Sequence, residues 1–301
     1  MPTLKNIVLH PKRYMIAILR RALLFLPDKA YLIIIYKLIF GQKLDLDNPQ
    51  SYNEKLQWLK LYDRNPQYTQ MVDKYEAKKY VASIVGEEYI IPTLGVWDKF
   101  DDINFDKLPQ QFVLKTTHDS GGVVICRDKS KFDKVAARKK MEKSLHHDYY
   151  RTSKEWPYKN VKRRIIAEKY MEDESGELKD YKFFCFDGEP RLILVCKNRF
   201  SKSGLTEDFF SCNWTHLNIR RPLHPNSETN IIPPVQLDKM ISLSKQLSAD
   251  ISFIRTDFYE IGDKIYFGEL TFFPASGFEK FVPEEWDKTL GEWLNLPKKG
   301  I

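Results

Sequence analysis

The chain has 301 residues, which is enough for one large domain or two closely packed domains. Hydrophobic residues make up 43% and charged residues 30% of the sequence, with 13 glycines and 16 prolines, so its composition excludes disordered, collagenous and low-complexity chains. The four cysteines form no CxxC pair and no zinc-like spacing with the six histidines, which argues against a disulfide framework or a structural metal and favours a reducing cytoplasm.

The net charge of +7 is concentrated at the N-terminus. Residues 1–43 hold eight Lys or Arg and one acid, whereas the remaining 258 residues carry 40 charges of each sign. A nucleic-acid-binding protein normally spreads a basic stripe over its folded body. The asymmetry therefore predicts no nucleic-acid partner and an accessory segment that meets an anionic surface.

This segment also contains apolar runs at 16–19, 22–26 and 31–40. They are shorter than the roughly 20 apolar residues that span a bilayer, and no small-residue cleavage site follows, so neither a transmembrane helix nor a signal peptide is indicated. The pattern predicts two short basic amphipathic helices, broken at Leu26-Pro27-Asp28, that can lie on anionic lipid. The alternative is that they pack on the body and direct their Lys and Arg to water.

From residue 48 the sequence is typical of a globular domain. Ser51 and Glu54 match the S-x-x-E capping box and predict a helix start there. A second helix is expected at 68–85, ended by Gly86, and a short extended stretch follows at 89–97.

After Pro109 strands and helices alternate. Strands are expected at 112–116, 123–126, 164–171, 181–186, 191–197, 254–261 and 264–271, and helices at 131–146 and 235–248. The segments 187–190 and 262–263 are typical hairpin turns, and 198–234 is expected to be irregular. This order predicts an α+β fold rather than a doubly wound parallel sheet. We divide the chain into N-terminal helices at 1–45, a helical region at 46–108 and a main domain at 109–297.

Two stretches have features of a nucleotide site. Lys115 in a hydrophobic strand precedes Gly121-Gly122, and a cation beside exposed backbone N–H groups can hold phosphates. The strand that runs into the acidic turn after Glu168 offers backbone groups for adenine and carboxylates for ribose. Each stretch alone also has a purely structural explanation. The first would be a hairpin in which a lysine and two glycines occur together by chance, and the second would be a solvent-exposed turn.

Two further stretches have features of a metal site. Arg255 and Asp257 alternate on one strand, and Glu269 and Thr271 alternate on its hairpin partner. Two carboxylates and a hydroxyl on one side are ligands suited to Mg²⁺, and Arg255 could stabilise a transferred phosphate or an oxyanion. The structural alternative is a salt bridge between Arg255 and Glu269.

Taken in this order, the four stretches resemble the ATP-grasp superfamily. More narrowly they are similar to its TupA-like branch, which is associated with teichuronopeptide and other cell-surface polysaccharide biosynthesis. The matching segments are 115–122, 180–193, 255–259 and 268–277, and the resemblance covers residues 45–297. It implies two α+β subdomains that clasp ATP, preceded by a helical N-terminal region.

The resemblance also implies roles for individual residues. Lys115 would contact the α- and β-phosphates, Lys182 would make a second phosphate contact, and Arg255 would stabilise the oxyanion. Asp257 and Glu269 would bind Mg²⁺, with Thr271 at the position where the superfamily commonly has Asn. The γ-phosphate loop would contain Thr117, His118, Ser120, Gly121 and Gly122. The adenine and ribose site would contain Glu168, Lys169, Tyr170, Met171 and Glu174 (or Asp173).

The function implied is an ATP- and Mg²⁺-dependent carboxylate–amine ligase that joins an amino acid to a uronic acid of a surface polysaccharide through an acyl phosphate. The segment 198–234 could hold the sugar acid, or it could be a solvated basic loop. Its basic residues are Arg199, Lys202, His216, Arg220, Arg221 and His224. The alternatives are a polysaccharide-pathway glycosyltransferase and a non-catalytic scaffold at the membrane surface.

Overall fold

Two antiparallel sheets carry the strands of this computed structural model, which describes residues 11–173, 176, 178–199 and 204–298. The first sheet has the strand order β1-β4-β2-β3 and the second the order β7-β6-β5-β8-β9. The strands are β1 (Thr93–Trp97), β2 (Phe112–Thr116), β3 (Val123–Cys126), β4 (Ile165–Lys169), β5 (Asp180–Phe186), β6 (Glu189–Lys197), β7 (Thr206–Phe210), β8 (Phe253–Ile261) and β9 (Lys264–Thr271).

Helices precede, separate and follow these strands. They are α1 (Pro11–Ala22), α2 (Asp28–Phe40), α3 (Tyr52–Tyr62), α4 (Gln67–Val72), α5 (Glu76–Val85), α6 (Lys134–Leu145), α7 (Tyr149–Ser153), α8 (Leu237–Ser248) and α9 (Glu285–Trp293). Short 3₁₀ turns lie at Glu87–Tyr89, Phe100–Asp102, Phe105–Lys107, Lys129–Lys131, Trp156–Asn160 and Pro274–Gly277.

The N-terminal helices form on either side of the predicted break. Pro27 precedes α2, and Gly41 ends it in the left-handed region (φ 79°), where its N–H donates to the carbonyl oxygen of Lys37. The inner face of α2 packs into the main core through Tyr31, Leu32, Ile35 and Tyr36. Within the described residues, every helix is too short or too polar to cross a bilayer.

The region that follows confirms one expected helix start and corrects one helix. The Ser51 hydroxyl accepts the N–H of Glu54 at 3.3 Å and the Glu54 carboxylate accepts the N–H of Ser51 at 3.1 Å, so the capping box is formed. The continuous helix expected at 68–85 is wrong, because it is split into α4 and α5. At the break Asp73 Oδ1 accepts the N–H groups of Tyr75 and Glu76, and a helix cannot continue through groups bonded in this way.

The main domain contains the expected strands and one strand that the sequence did not predict. The segment expected to be irregular at 198–234 contains β7, which pairs with β6 along Ile193 to Lys197. Strand β1 lies within the region 46–108 and pairs with β4, so the first sheet draws on both predicted segments.

Each sheet covers its own hydrophobic core. The larger of the two, the main core, joins the second sheet to α2–α5, α8 and α9. The small core packs α6 and the 3₁₀ turns at Phe100–Asp102 and Phe105–Lys107 against the first sheet and includes Phe112 and Met141. Polar side chains of both sheets face the space between them, and this arrangement positions the site.

Candidate active site

A cleft with a volume of about 1290 Å³ lies between the two sheets and is lined by residues of both. Ten of the residues selected from the sequence line it: Lys115, Ser120, Gly121, Glu168, Lys169, Tyr170, Met171, Lys182, Asp257 and Glu269. Five others lie in the layer that supports its wall: Thr117, His118, Gly122, Arg255 and Thr271. Glu174 lies outside the described residues. The folded chain thus brings together four stretches that are distant in sequence.

Glu168 on β4 is held between two lysines. Its Oε2 lies 2.5 Å from the Nζ of Lys115, and its Oε1 lies 2.5 Å from the Nζ of Lys78 on α5. Burial alone raises the pKa of Glu168, but the two cations outweigh burial and lower it to about 2. Lys78 also donates to the carbonyl oxygen of Ile91 at 2.6 Å and lines the cleft. Sequence reasoning missed Lys78, because nothing in its helix distinguishes it from a surface lysine.

The loop between β2 and β3 is built around the buried carboxylate of Asp119, which the sequence analysis also missed. Its Oδ1 accepts the Thr116 hydroxyl at 2.6 Å and the Gly122 N–H at 3.1 Å, and the Ser144 hydroxyl donates to Oδ2. Burial raises the pKa of Asp119, but these donors and Lys74 lower it below its usual range. The loop is therefore held in one conformation, with Ser120 and Gly121 exposed to the cleft.

Thr117 and His118 support this loop from behind. The Thr117 hydroxyl donates to the carbonyl oxygen of Lys162 at 2.8 Å, and the His118 Nε2 lies 3.1 Å from the carbonyl oxygen of His147. Both side chains are buried. The Thr117 hydroxyl and the His118 Nε2 are thus engaged within the protein, and Ser120 and Gly121 at the loop tip line the cleft.

Lys74, between α4 and α5, joins the helical region to the same loop. Its backbone N–H donates to the carbonyl oxygen of Thr117 at 3.1 Å, and its Nζ donates to the carbonyl oxygen of Asp119. Burial lowers the pKa of Lys74 although Glu269 and Asp119 lie near it. One residue therefore holds two points of the loop and places a cation at the cleft wall.

The hinge after β4 has one backbone group already engaged. The N–H of Lys169 donates to the carbonyl oxygen of Pro92 at 3.0 Å, next to β1. Tyr170 and Met171 line the cleft, and the Tyr170 ring lies 5.9 Å from the guanidinium carbon of Arg127. An adenine edge at this hinge must therefore pair with backbone groups other than the N–H of Lys169.

Four polar side chains meet on β8 and β9. The strand register places Arg255 opposite Thr271 and Asp257 opposite Glu269. Arg255 Nη2 lies 2.7 Å from Glu269 Oε1 and 3.1 Å from Thr271 Oγ1, and Thr271 donates to the same carboxylate oxygen at 3.2 Å. The salt bridge considered as the structural alternative is formed, and it lies at the wall of the cleft.

Lys182 on β5 extends this cluster across the sheet. Its Nζ lies 2.5 Å from Asp257 Oδ2 and 3.5 Å from Asp180 Oδ2, which Arg199 approaches at 2.5 Å. Burial lowers the pKa of Lys182, but Asp180 and Asp257 outweigh it and raise that pKa above its usual range. Burial raises the pKa of Asp257 despite these cations. Positive and negative groups therefore alternate along the floor of the cleft.

A family model described as TupA-like ATPgrasp matches residues 54–295. The chain belongs to this family. The match confirms the predicted family and its ATP-grasp fold. No curated protein matches the chain.

Solved ATP-grasp structures are similar at low identity. The D-alanine–D-alanine ligase of Bacillus anthracis complexed with ATP has 16% identity and a TM-score of 0.38, over 74% of this chain and 57% of that one. The ATP-grasp ligase PsnB complexed with minimal precursor, Mg and ADP has 9% identity and a TM-score of 0.38, over 81% and 62%. The RimK domain ATP-grasp protein of Sphaerobacter thermophilus has 10% identity and a TM-score of 0.42, over 87% and 76%. The chain spans less than two thirds of the length of the first two.

Two acidic residues of this TupA-like ATP-grasp protein suit a nucleotide-bound Mg²⁺. Asp257 and Glu269 offer two carboxylates on adjacent strands, and in the described part of the chain no group of three or more His, Cys, Asp or Glu is arranged to hold a metal. Mg²⁺ is commonly bound by one or two carboxylates, with phosphate oxygens and water completing its shell. The two side chains therefore suit an ion that arrives with a phosphate ligand.

Proposed function

We propose that this protein is an ATP- and Mg²⁺-dependent carboxylate–amine ligase that joins an amino acid to a uronic acid of a cell-surface polysaccharide. One observation carries the proposal: Lys115 with Glu168, and Lys182 with Asp257 and Glu269, line the same cleft from opposite sheets. A set of lysines facing a pair of carboxylates suits a nucleotide phosphate chain and its metal. The family match supports the same class of reaction.

The nucleotide is proposed to lie across the first sheet. Lys115 and Lys78, whose shared partner is Glu168, are placed to neutralise phosphate oxygens, with Lys182 facing them from β5. The loop that Asp119 holds is proposed to cover the γ-phosphate through Ser120, Gly121 and its backbone N–H groups. The hinge from Lys169 to Met171 is proposed to hold adenine, and Glu174 or Asp173 to hold ribose.

Asp257, Glu269 and Thr271 are proposed to hold Mg²⁺, which would shield the charge of the phosphates when bound. Arg255 bridges the two carboxylates, and its guanidinium stays protonated because Asp257 and Glu269 outweigh the effect of burial and raise its pKa. A fixed cation beside the phosphate site can stabilise negative charge that develops on a carbonyl oxygen. We therefore assign the oxyanion role to Arg255.

The proposed reaction has two steps. A carboxylate oxygen of the substrate attacks the γ-phosphorus of ATP, the bond to the β-phosphate oxygen breaks, and ADP leaves. The amine nitrogen of the second substrate then attacks the carbonyl carbon of the acyl phosphate. Phosphate leaves with the C–O bonding electrons, the amine loses a proton, and an amide remains.

The proposed site of the uronic acid rests on the basic residues of segment 198–234. Among the described basic residues of segment 198–234, Arg199 lines the cleft, where it pairs with Asp180. Arg221 pairs with Glu207 and Glu279, and His216 lies 3.1 Å from Asp208, so these two hold the segment itself. Lys202 lies outside the described residues. Arg199 is therefore our candidate for a sugar carboxylate.

We also propose that the protein works in the cytoplasm, next to the inner face of the cell membrane. All four cysteines are unpaired thiols, as a reducing compartment requires. The net positive charge of the chain lies in residues 1–43, beside apolar runs. This location would bring the enzyme close to membrane-borne polysaccharide intermediates.

Release of ADP and phosphate tests the activity. The protein is incubated with ATP and Mg²⁺ against pairwise combinations of amino acids and uronic acids, and the product is identified by mass. The expected result is ADP release that requires both an amine and a carboxylate, with one amide formed per ADP. Transfer of a sugar without ADP release would support a glycosyltransferase instead. Failure to bind ATP would support a non-catalytic scaffold.

A further inference from the structure

Residues 15–25 present an unusual apolar surface to solvent. Met15 and Ile18 lie on one face of α1 and Phe25 follows in the turn after it, with 50%, 66% and 76% of their surfaces exposed. We call these three residues the N-terminal apolar surface. Leu23, Leu24 and Leu26 of the same segment pack against the main core. The segment therefore has two apolar sides, and the protein body covers one of them.

The exposed charged side chains of residues 15–40 are all basic. They are Arg21, Lys29 and Lys37. Asp28, the one acid among residues 1–43, faces the body instead. There its carboxylate accepts a hydrogen bond from the Tyr150 hydroxyl at 2.5 Å and lies 3.2 Å from the Nζ of Lys154. A second copy of this chain would bring two basic surfaces together, and like charges would oppose that contact. The combination of apolar and basic side chains fits anionic lipid headgroups above acyl chains.

Helix α2, which follows this surface, is joined to residues that support the cleft. The Tyr31 hydroxyl donates to the carbonyl oxygen of Thr152 at 3.3 Å, and Asp28 contacts Tyr150 and Lys154. Next to these contacts, the ring of Tyr149 on α7 packs against the ring of Tyr158, which lines the cleft, with 4.6 Å between the ring centroids. The second N-terminal helix thus contacts the residues that support the wall of the cleft.

We propose that the N-terminal apolar surface docks on an anionic lipid bilayer and inserts Met15, Ile18 and Phe25 among the headgroups and upper acyl chains. Arg21, Lys29 and Lys37 then contact lipid phosphates. This inference rests on the proposed location at the membrane and not on the ligase chemistry. It assigns the contact to particular residues.

Co-sedimentation of the full chain with vesicles tests the docking. The vesicles contain phosphatidylcholine alone or phosphatidylcholine with one third phosphatidylglycerol. The test variant is Ile18→Glu with Phe25→Glu, and the matched control is Val135→Glu with Leu223→Glu, which changes side chains exposed by 78% and 69% elsewhere. All four positions are exposed, so folding is expected to survive, and the melting temperature of each protein checks this.

The expected result is binding to the phosphatidylglycerol vesicles that falls with salt and weakens at least tenfold in the test variant, with the control unchanged. Equal loss in both double variants, or no binding by the wild type, would overturn the proposal. The wild type could instead bind no lipid and form a dimer that the test variant does not form. That outcome would assign the surface to a second copy of the chain and would also overturn the proposal. A thermal shift with an ATP analogue, measured without vesicles, tests nucleotide binding separately. A failure of the nucleotide site can then be distinguished from a failure of membrane docking.

Discussion

Arg255 and Asp257 meet side by side through two hydrogen bonds of 2.7 Å each, from Nε to Oδ1 and from Nη2 to Oδ2. Lys182 bonds the same Oδ2 at 2.5 Å. Both oxygens of this buried carboxylate are thus engaged by protein cations, and Mg²⁺ has to compete with them. Phosphate oxygens can pair with Arg255 and Lys182 when Mg²⁺ displaces these cations from the carboxylate. The metal and the nucleotide should therefore bind together.

The first prediction is that a non-hydrolysable ATP analogue stabilises the protein strongly when Mg²⁺ is present and weakly without it. At about thirty dissociation constants the stabilisation should be about 2 kcal/mol. Thermal unfolding with Mg²⁺ alone, analogue alone and both together measures it. If Mg²⁺ alone shifts the melting temperature as much as Mg²⁺ and the analogue together, the ion does not compete with protein cations for Asp257.

The second prediction concerns Glu269, whose side chain is 44% exposed at the cleft. Glu269→Gln removes one charge from the proposed metal site and keeps the side-chain shape, so phosphate release should fall at least 100-fold while the melting temperature changes little. Steady-state phosphate release measures the loss. Glu292→Gln, at an exposed position on α9, is the matched control and should behave as the wild type. Near-normal release by Glu269→Gln would remove Glu269 from the metal site.

The third prediction concerns Lys74, which holds the loop between β2 and β3 at Thr117 and Asp119. Lys74→Met removes a charged hydrogen-bond donor worth about 1.5–3 kcal/mol, so the KM for ATP should rise tenfold or more. Lys74→Arg should restore part of the affinity. Lys79→Met changes a neighbouring lysine whose side chain is 59% exposed, and it should leave the KM unchanged. A KM unaffected by Lys74→Met would show that the loop does not depend on this lysine.

The fourth prediction compares two adjacent glycines in the phosphate loop. A Cβ at Gly122 would overlap the hydroxyl oxygens of Thr116 and Ser144, whereas a Cβ at Gly121 would meet no atom within 4 Å. Gly122→Ala should therefore disturb the loop and weaken nucleotide binding at least tenfold, and Gly121→Ala should have little effect. Isothermal titration with the ATP analogue measures both variants. Equal affinity of the two would contradict the loop structure.

The fifth prediction follows from the lowered pKa of Glu168. Because the folded-state pKa is about 2 and the unfolded value is about 4.5, the ionised form stabilises the fold at neutral pH, and this contribution is lost as the pH falls from about 4.5 to 2. Its size is on the order of 3 kcal/mol. Urea unfolding should show Glu168→Gln much less stable than the wild type at pH 7, with the difference shrinking below about pH 4.5. Glu284→Gln, at an exposed position, is the matched control and should be as stable as the wild type at pH 7.

The sequence by itself determined the elements whose signals are local. The turn at Gly262-Asp263 is such a signal, and it predicts the paired strands on either side of it. The register at the site is different, because uninterrupted pairing would set Asp257 opposite Gly268, and a β-bulge between Asp257 and Phe258 sets it opposite Glu269 instead. The capping box at Ser51 and Glu54 is a contact within one turn, and it too could be predicted from the residues alone. The order of four motifs was enough to predict the family.

Only the tertiary structure decided which residues complete the cleft. Lys74 and Lys78 lie outside the motifs, and their roles come from partners far away in the chain. Asp119 lies inside one motif, but its carboxylate is completed by Ser144, 25 residues further on. The break between α4 and α5 was equally invisible, because the helical periodicity of 68–85 continues through it. There the N–H of Lys74 goes to Thr117, a contact across 43 residues that only the packing of the helical region on the first sheet can create. Local patterns determine which elements form, whereas the pairing of buried charges depends on how those elements meet.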